Sequence, residues 1–211
     1  TTEAGPGGSI SPSALSVEYG SAADFTVSAD DGFFINSVSG CGGTLAGTTF
    51  TTAPITEECT VFAVFTPSIH QVTALAGRGG AVSPTAVSVD HGATIEFTIT
   101  PDPGNEIVAV SGCAGSLDGG VYTTGPITED CEVLIDFLGL FSLAQNGVTV
   151  LCPDAEIDDW GLVGGKKYTK RTAAQITEDN APTTCTSGID WMASLFRGAA
   201  QFNGDISSWD V

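Results

Sequence analysis

The six cysteines fall into three pairs and predict three disulfides. Cys41 and Cys59 are 18 residues apart, as are Cys113 and Cys131, and Cys152 and Cys185 remain further along the chain. An even number of cysteines, two per module, is typical of disulfide-stapled secreted domains. The alternatives are free thiols and metal thiolates, but zinc sites usually carry Cys-x2–4-Cys pairs, which this sequence lacks. We therefore expect three bridges and an oxidising, extracellular location.

Four carboxylates crowd one loop, at Asp154, Glu156, Asp158 and Asp159. Calcium prefers such hard oxygen ligands, so these residues are the metal candidates. No Asp-x-Asp-x-Asp-Gly loop accompanies them, and the alternative is a set of solvated turn carboxylates. Apart from this calcium candidate, we predict no cofactor.

No catalytic signature is present. The chain lacks a Gly-x-Ser-x-Gly elbow, a His-Glu-x-x-His pair and a phosphate-binding Gly-x-x-x-x-Gly-Lys loop. Its two histidines, His70 and His91, lie at a repeat boundary and beside a turn glycine, and we interpret both as exposed turn residues. We predict that the protein is not an enzyme.

Exposed aromatic side chains could bind sugars. Trp160 lies in the acidic loop and is the binding candidate, whereas we expect Trp191 and Trp209 to be core residues. The basic residues nearby are interpreted as a solvated hairpin face; they are Lys166, Lys167, Lys170 and Arg171.

Charge excludes several kinds of partner. The chain has 211 residues, 25 acidic and 6 basic, and a formal net charge of −19. Contacts with nucleic acid or anionic lipid need clustered Lys and Arg, so we expect neither partner. No apolar run is long enough to span a membrane, yet 42% of residues are hydrophobic, enough for a core.

An internal repeat organises the first two thirds of the chain. Residues 7–65 align with 79–137 without a gap, and about half of the aligned positions are identical. Apolar residues alternate along runs bounded by Gly, Asp and Pro, as at Phe25 and Val27, which predicts short strands. We predict two tandem small all-β domains, each a β-sandwich or β-grasp-like. The first domain's opening strand is expected to be truncated.

The last third of the chain changes character. Five of the six basic residues lie after residue 150. The pattern predicts a strand over 147–152, a hairpin over 161–171, a short helix over 173–179 and a two-turn helix over 189–196.

The stretch 189–211 resembles one repeat of the BspA-type leucine-rich repeat surface proteins of bacteria. The matching positions are Met192, Phe196, Phe202, Asn203, Asp205, Ile206, Ser207, Trp209 and Asp210. The preceding residues look like the cap of such an array. The tandem units resemble divergent B-repeat-type domains of bacterial surface proteins, with their Gly-Gly-x-Val/Ile-x-Pro opening and closing Cys-x-Val-x-x-x-Phe strand.

These resemblances divide the chain into four parts: repeat units at 1–66 and 67–138, a cap at 139–188 and one leucine-rich repeat at 189–211. They imply a monomeric, non-catalytic fragment of a bacterial cell-surface or secreted protein. Two β modules would form a stalk, and the repeat region would bind a host, matrix or cell-surface protein or glycan. The alternative is a carbohydrate-binding or calcium-dependent module of a larger secreted protein.

Overall fold

A computed structural model describes residues 1–190, 192, 195–197 and 202–210. The chain divides into two compact units. One consists of Thr1–His70 with Ser88–Ala93, and the other of Gln71–Val87 with Thr94–Val211. The described residues are mainly β, with two 3-10 helices of three residues each, as the composition predicts.

The first repeat contains seven strands in two sheets. The strands are β1 (Thr2–Ala4), β2 (Gly8–Ser11), β3 (Asp24–Ala29), β4 (Phe33–Ser39), β5 (Thr44–Ala46), β6 (Thr49–Thr51) and β7 (Val61–Pro67). One sheet has the order β1-β7-β4 and the other β2-β3-β6-β5. The two sheets of this repeat pack on each other, because buried residues of both form one core.

Alternating side chains from both sheets build one core. Phe25 and Val27 of β3 and Phe50 of β6 meet Val61 and Ala63 of β7, and all five are buried. The residues between them face solvent, which is the period-two pattern read from the sequence.

The second repeat has eight strands. They are β8 (Ile69–Ala76), β9 (Gly80–Ser83), β10 (Ala86–Asp90), β11 (Glu96–Pro101), β12 (Ala109–Ser111), β13 (Ser116–Asp118), β14 (Val121–Thr123) and β15 (Cys131–Asp136). The sheets run β10-β8-β15-β12 and β13-β14-β11-β9. Every strand of the first repeat therefore has a counterpart, and β10 is the addition.

The first and last strands of each repeat pair in parallel. In the first repeat, Thr2, Glu3 and Ala4 lie opposite Val61, Phe62 and Ala63. In the second, β8 and β15 pair from Val72 opposite Cys131 to Ala76 opposite Ile135. Two parallel strands must be joined by a crossover connection. In each repeat that connection contains the strands of the second sheet.

A glycine corner holds each repeat's first cysteine against its last strand. Gly40 has a φ of 109°, and a Cβ there would lie 2.0 Å from the Thr60 carbonyl oxygen. Gly112 repeats this geometry against Glu132. Only glycine fits a left-handed position so close to a backbone, which accounts for the shared Val-Ser-Gly-Cys sequence.

The region after residue 138 has a small core of its own. Its strands are β16 (Ser142–Leu143), β17 (Val150–Leu151), β18 (Trp160–Val163), β19 (Lys166–Lys170) and β20 (Thr184–Cys185). Phe141, Val150 and Tyr168 pack around the Cys152–Cys185 bridge. The predicted hairpin over 161–171 is confirmed as β18–β19, whereas the predicted strand over 147–152 is reduced to β17.

The helix predicted over 173–179 is wrong in extent. Only Ala173–Gln175 is helical, as a single 3-10 turn. The Asn180 side chain accepts from the Thr177 amide and donates to the Gln175 carbonyl, so local side-chain bonds replace further helix. The helix predicted over 189–196 lies largely outside the described residues.

The two repeats offer a matched test of one buried hydrogen bond. The Tyr122 hydroxyl donates to the Gly112 carbonyl and accepts from the Gly115 amide, while the first repeat has Phe50 at this position. We expect Tyr122→Phe to lower the free energy of unfolding by about 1 kcal/mol, measured by urea denaturation.

The control for this prediction is Phe50→Tyr. It places a hydroxyl beside Gly40 and Gly43, where the Gly43 amide donates to the Gly40 carbonyl at 3.1 Å, whereas the corresponding bond from Gly115 to Gly112 is 3.5 Å long. Any gain in the unfolding free energy should therefore be smaller than the loss in Tyr122→Phe. An unchanged stability in Tyr122→Phe would contradict this account of the corner.

Candidate functional site

All three predicted disulfides are present. Cys41 bonds Cys59, Cys113 bonds Cys131 and Cys152 bonds Cys185, with Cα–Cα distances of 5.4, 5.6 and 6.3 Å. Each of the first two joins the glycine corner to the start of its repeat's last strand. Closing such a loop of about 18 residues stabilises a domain by roughly 3 kcal/mol in the chain-entropy model.

The acidic loop contacts a single arginine. Arg78 places its two terminal nitrogens 3.0 Å from Glu156 and 2.8 Å from Asp159. Asp159 also accepts from the Glu156 amide, and Asp158 accepts from Gln175. These carboxylates therefore engage protein donors. Across the described residues, no three His, Cys, Asp or Glu side chains are grouped to hold a metal, and the calcium site, with Asp154 as its remaining candidate ligand, stays a prediction.

A buried carboxylate at Asp136 joins the second repeat to the region that follows it. Its Oδ1 accepts from the Leu138 and Gly139 amides, and its Oδ2 accepts from the Leu162 amide, each at 3.1 Å. Asp136 is only 4% exposed, and a buried charge is stable only when hydrogen-bonded. The bond from Leu162 fixes strand β18 against the end of β15, and the other two hold the turn that follows β15.

The first repeat lacks both of these polar contacts. Val64 stands where the second repeat has Asp136 and is 49% exposed, and Pro6 stands in the place of Arg78. The two polar residues therefore appear where the following region docks. Gly161 allows this close approach, because a Cβ there would lie 2.9 Å from Asp136 Oδ2. The differences between the repeats were the sequence signal that could have identified this interface.

The basic residues of the hairpin are not simply solvated. Lys170 donates to the Cys152 and Pro153 carbonyls, and Arg171 donates to the Thr183 carbonyl and the Thr184 hydroxyl. Burial lowers the pKa of the Arg171 guanidinium below its ordinary value, while the charge of Asp158 opposes that shift. These side chains bind backbone carbonyls of residues 152–153 and 183 and hold these loops together.

Trp160 is partly covered. It begins β18, and the Lys167 ammonium lies 4.7 Å from its ring centroid, within the range of a cation–π contact. Its role in binding remains a prediction. The two histidines are less exposed than expected, since His70 Nε2 lies 3.1 Å from His91 Nδ1 and Asp31 lies 3.6 Å from His91 Nε2.

The described part of the segment 189–210 forms an aromatic cluster. Phe196 stacks on Phe202 with centroids 4.1 Å apart, and Trp209 donates from Nε1 to the Ala181 carbonyl. Trp209 is buried, as predicted, whereas Trp191 lies outside the described residues. Hydrogen bonds from the Ser207 side chain and amide hold the pKa of Asp205 below its usual range.

These features define a class of disulfide-stapled, tandem all-β repeat proteins. The family model for the divergent InlB B-repeat domain matches residues 1–69 and 70–125, which is more than half of the chain. The chain therefore belongs to the divergent InlB B-repeat family. Comparison with curated proteins found no match, and comparison with solved structures found none. No helix among the described residues is long and apolar enough to cross a membrane.

The Asp136 contact can be tested by an isosteric change. Asp136→Asn replaces one acceptor oxygen by a donor that faces backbone N–H groups. We expect it to lower the unfolding free energy of the second unit by about 2 kcal/mol, measured by urea denaturation.

Val64→Asp is the matched control, because it installs the same carboxylate at the exposed counterpart. It should lower the unfolding free energy by no more than about 1 kcal/mol, the cost of replacing Val by Asp in a strand. An unfolding free energy that Asp136→Asn leaves unchanged would show that Asp136 does not join the two parts.

Proposed function

We propose that this protein is a non-catalytic, extracellular bacterial surface protein whose β repeats act as a force-bearing stalk. The observation that carries the proposal is the parallel pairing of the first and last strand in each repeat. The chain enters a parallel pair at one end and leaves at the other. Tension applied along the chain therefore shears all hydrogen bonds of the ladder together.

The connection between the repeats supports this role. Only Ser68 separates β7 from β8, so tension that leaves the first ladder passes directly into the second. Each disulfide keeps its loop from extending even if the ladder ruptures. The three bridges also suit an oxidising, extracellular compartment.

We further propose that the region after residue 138 presents the interaction surface, as the cap and first repeat of a leucine-rich array. Its support is the packing of the repeat's aromatic residues. Trp209, Phe196 and Phe202 pack with Ile176 and Ala181 of the cap, and Asp210 bonds to Thr186 and Ser187. The partner would be a host, matrix or cell-surface protein.

Single-molecule pulling through the chain ends tests the stalk. We expect each of the two repeats to give one unfolding event, besides any from the region after residue 138, and reduction of the disulfides should lengthen the extension of each repeat by about 60 Å. That figure follows from about 18 released residues at roughly 3.4 Å each. Glu3→Pro removes an amide from the β1–β7 ladder and should lower the force of one event.

Thr44→Pro is the control, because it lies at the start of the edge strand β5, outside the ladder. An unfolding force that Glu3→Pro does not lower, or that Thr44→Pro lowers equally, would contradict the stalk. It would leave a role in binding alone.

A further inference from the structure

The two histidines of the chain contact each other. His70 lies in β8, and His91 lies in the turn that follows β10. Their facing nitrogens, Nε2 of His70 and Nδ1 of His91, are 3.1 Å apart, and the ring centroids are 5.3 Å apart. The nitrogens therefore lie close to the line that joins the two rings, which is the geometry of an N–H···N hydrogen bond. One ring must donate and the other must accept.

The surroundings of the pair assign the donor. Asp31 Oδ2 lies 3.6 Å from His91 Nε2, and a carboxylate favours a proton on the nitrogen that faces it. With that proton in place, Nδ1 of neutral His91 carries a lone pair and accepts, so Nε2 of His70 is assigned as the donor. The bond therefore depends on the neutral form of His91.

The pair belongs to a small network around the turn that contains His91. The His91 amide donates to the Ser68 carbonyl, and the Ser68 amide donates to the Gly32 carbonyl. The His91 ring also covers Gly32, where a Cβ would lie 2.8 Å from the ring. All of these residues lie in the first compact unit, which includes Ser88–Ala93. The imidazole pair is therefore one of the contacts that join this segment to Thr1–His70.

The hydrogen bond tolerates one added proton but not two. A first proton can bind His70, which then remains the donor of a charge-assisted bond. A second proton binds His91 Nδ1, so the acceptor is lost and two positive rings face each other with nitrogens 3.1 Å apart. Histidine is the side chain that changes charge between about pH 5 and 8. Mild acid is therefore sufficient to add both protons.

The nearby carboxylates do not replace the lost bond. The side chain of Asp31 is 99% exposed, and Asp30 and Asp90 are exposed as well, so solvent screens their charges. Asp130 is also exposed and accepts from the Gln71 amide, which is next in sequence to the first histidine of the pair. These acids favour the first proton, whereas the second leaves two N–H groups pointing at each other.

We propose that the pair of His70 and His91 is an acid-sensitive latch. At neutral pH the bond forms and helps to hold the segment Ser88–Ala93 in place. At about pH 5 both rings are protonated, the N–H···N bond breaks, and the turn at His91 separates from Ser68. The latch is independent of the proposed stalk function, because the β8–β15 ladder begins at Val72.

Nuclear magnetic resonance on the full chain tests the latch. At neutral pH we expect a scalar coupling across the hydrogen bond between His70 Nε2 and His91 Nδ1. The protection of the His91 amide against hydrogen exchange, corrected for the intrinsic effect of pH, should fall at least about tenfold between about pH 7 and pH 5. The amide of Val133, a fully buried residue of the second repeat, should stay protected if the fold persists.

Two variants separate the charge of the pair from its hydrogen bond. His70→Gln removes one titrating ring, and its amide can donate to His91 or, after a flip, accept from it. The His91 amide should then keep its protection within about twofold at about pH 5. His91→Tyr installs the residue that the first repeat has at this position, Tyr19. It removes the acceptor, so the coupling and the acid-induced loss of protection should both disappear.

Three results would overturn the proposal. They are the absence of the coupling at neutral pH, an unchanged protection of the His91 amide at about pH 5, and an equal loss of protection in His70→Gln. A simultaneous loss of protection at His91 and Val133 would show global acid unfolding and would overturn it as well.

Discussion

The parallel ladder between the first and last strand is the constraint on which each repeat depends. It brings the two ends of the repeat's sequence together and supplies buried residues such as Val61 and Ala63 from its central strand. The disulfide also anchors the last strand of each repeat. Cys59 lies just before β7, and Cys131 is the first residue of β15. Since parallel pairing places the entry and exit of the chain at opposite ends of the ladder, the same arrangement that stabilises the repeat is the one on which the proposed stalk function rests.

The two repeats share this framework and differ where they meet other parts of a protein. At the end of the second ladder, Asp136 and Arg78 hold the region that follows, through backbone amides and through acidic side chains. The exposed Arg78 pair contributes at most about 1 kcal/mol, so the buried Asp136 contacts dominate. A few substitutions between the repeats, within a shared framework of strands, thus change what the end of the ladder contacts.

Much of the fold could be predicted from the sequence. The cysteine spacing within each repeat predicted the pairing, and the alternation around Phe25 and Val27 predicted the strands. The interface at Asp136 could not be predicted, because a carboxylate in an alternating strand indicates a solvent-facing position unless its amide donors are known. For the same reason Lys170 and Arg171 were interpreted as solvated, although they bind carbonyls of loops distant in sequence. The helix predicted over 173–179 is wrong in extent because the Asn180 side chain bonds backbone groups that a helix would use. The spacing of apolar residues carries no information about such side-chain bonds.

Native-state hydrogen exchange, residue by residue, tests the central claim most directly. If the parallel ladders hold the repeats together, the amides of Ala63 and Ile135 in the two last strands should exchange only by global unfolding, and so be the slowest in their repeats. The amides of the edge strands β5 and β13 should exchange orders of magnitude faster, through local opening. Exchange of Ala63 and Ile135 at the rate of those edge strands would contradict the account.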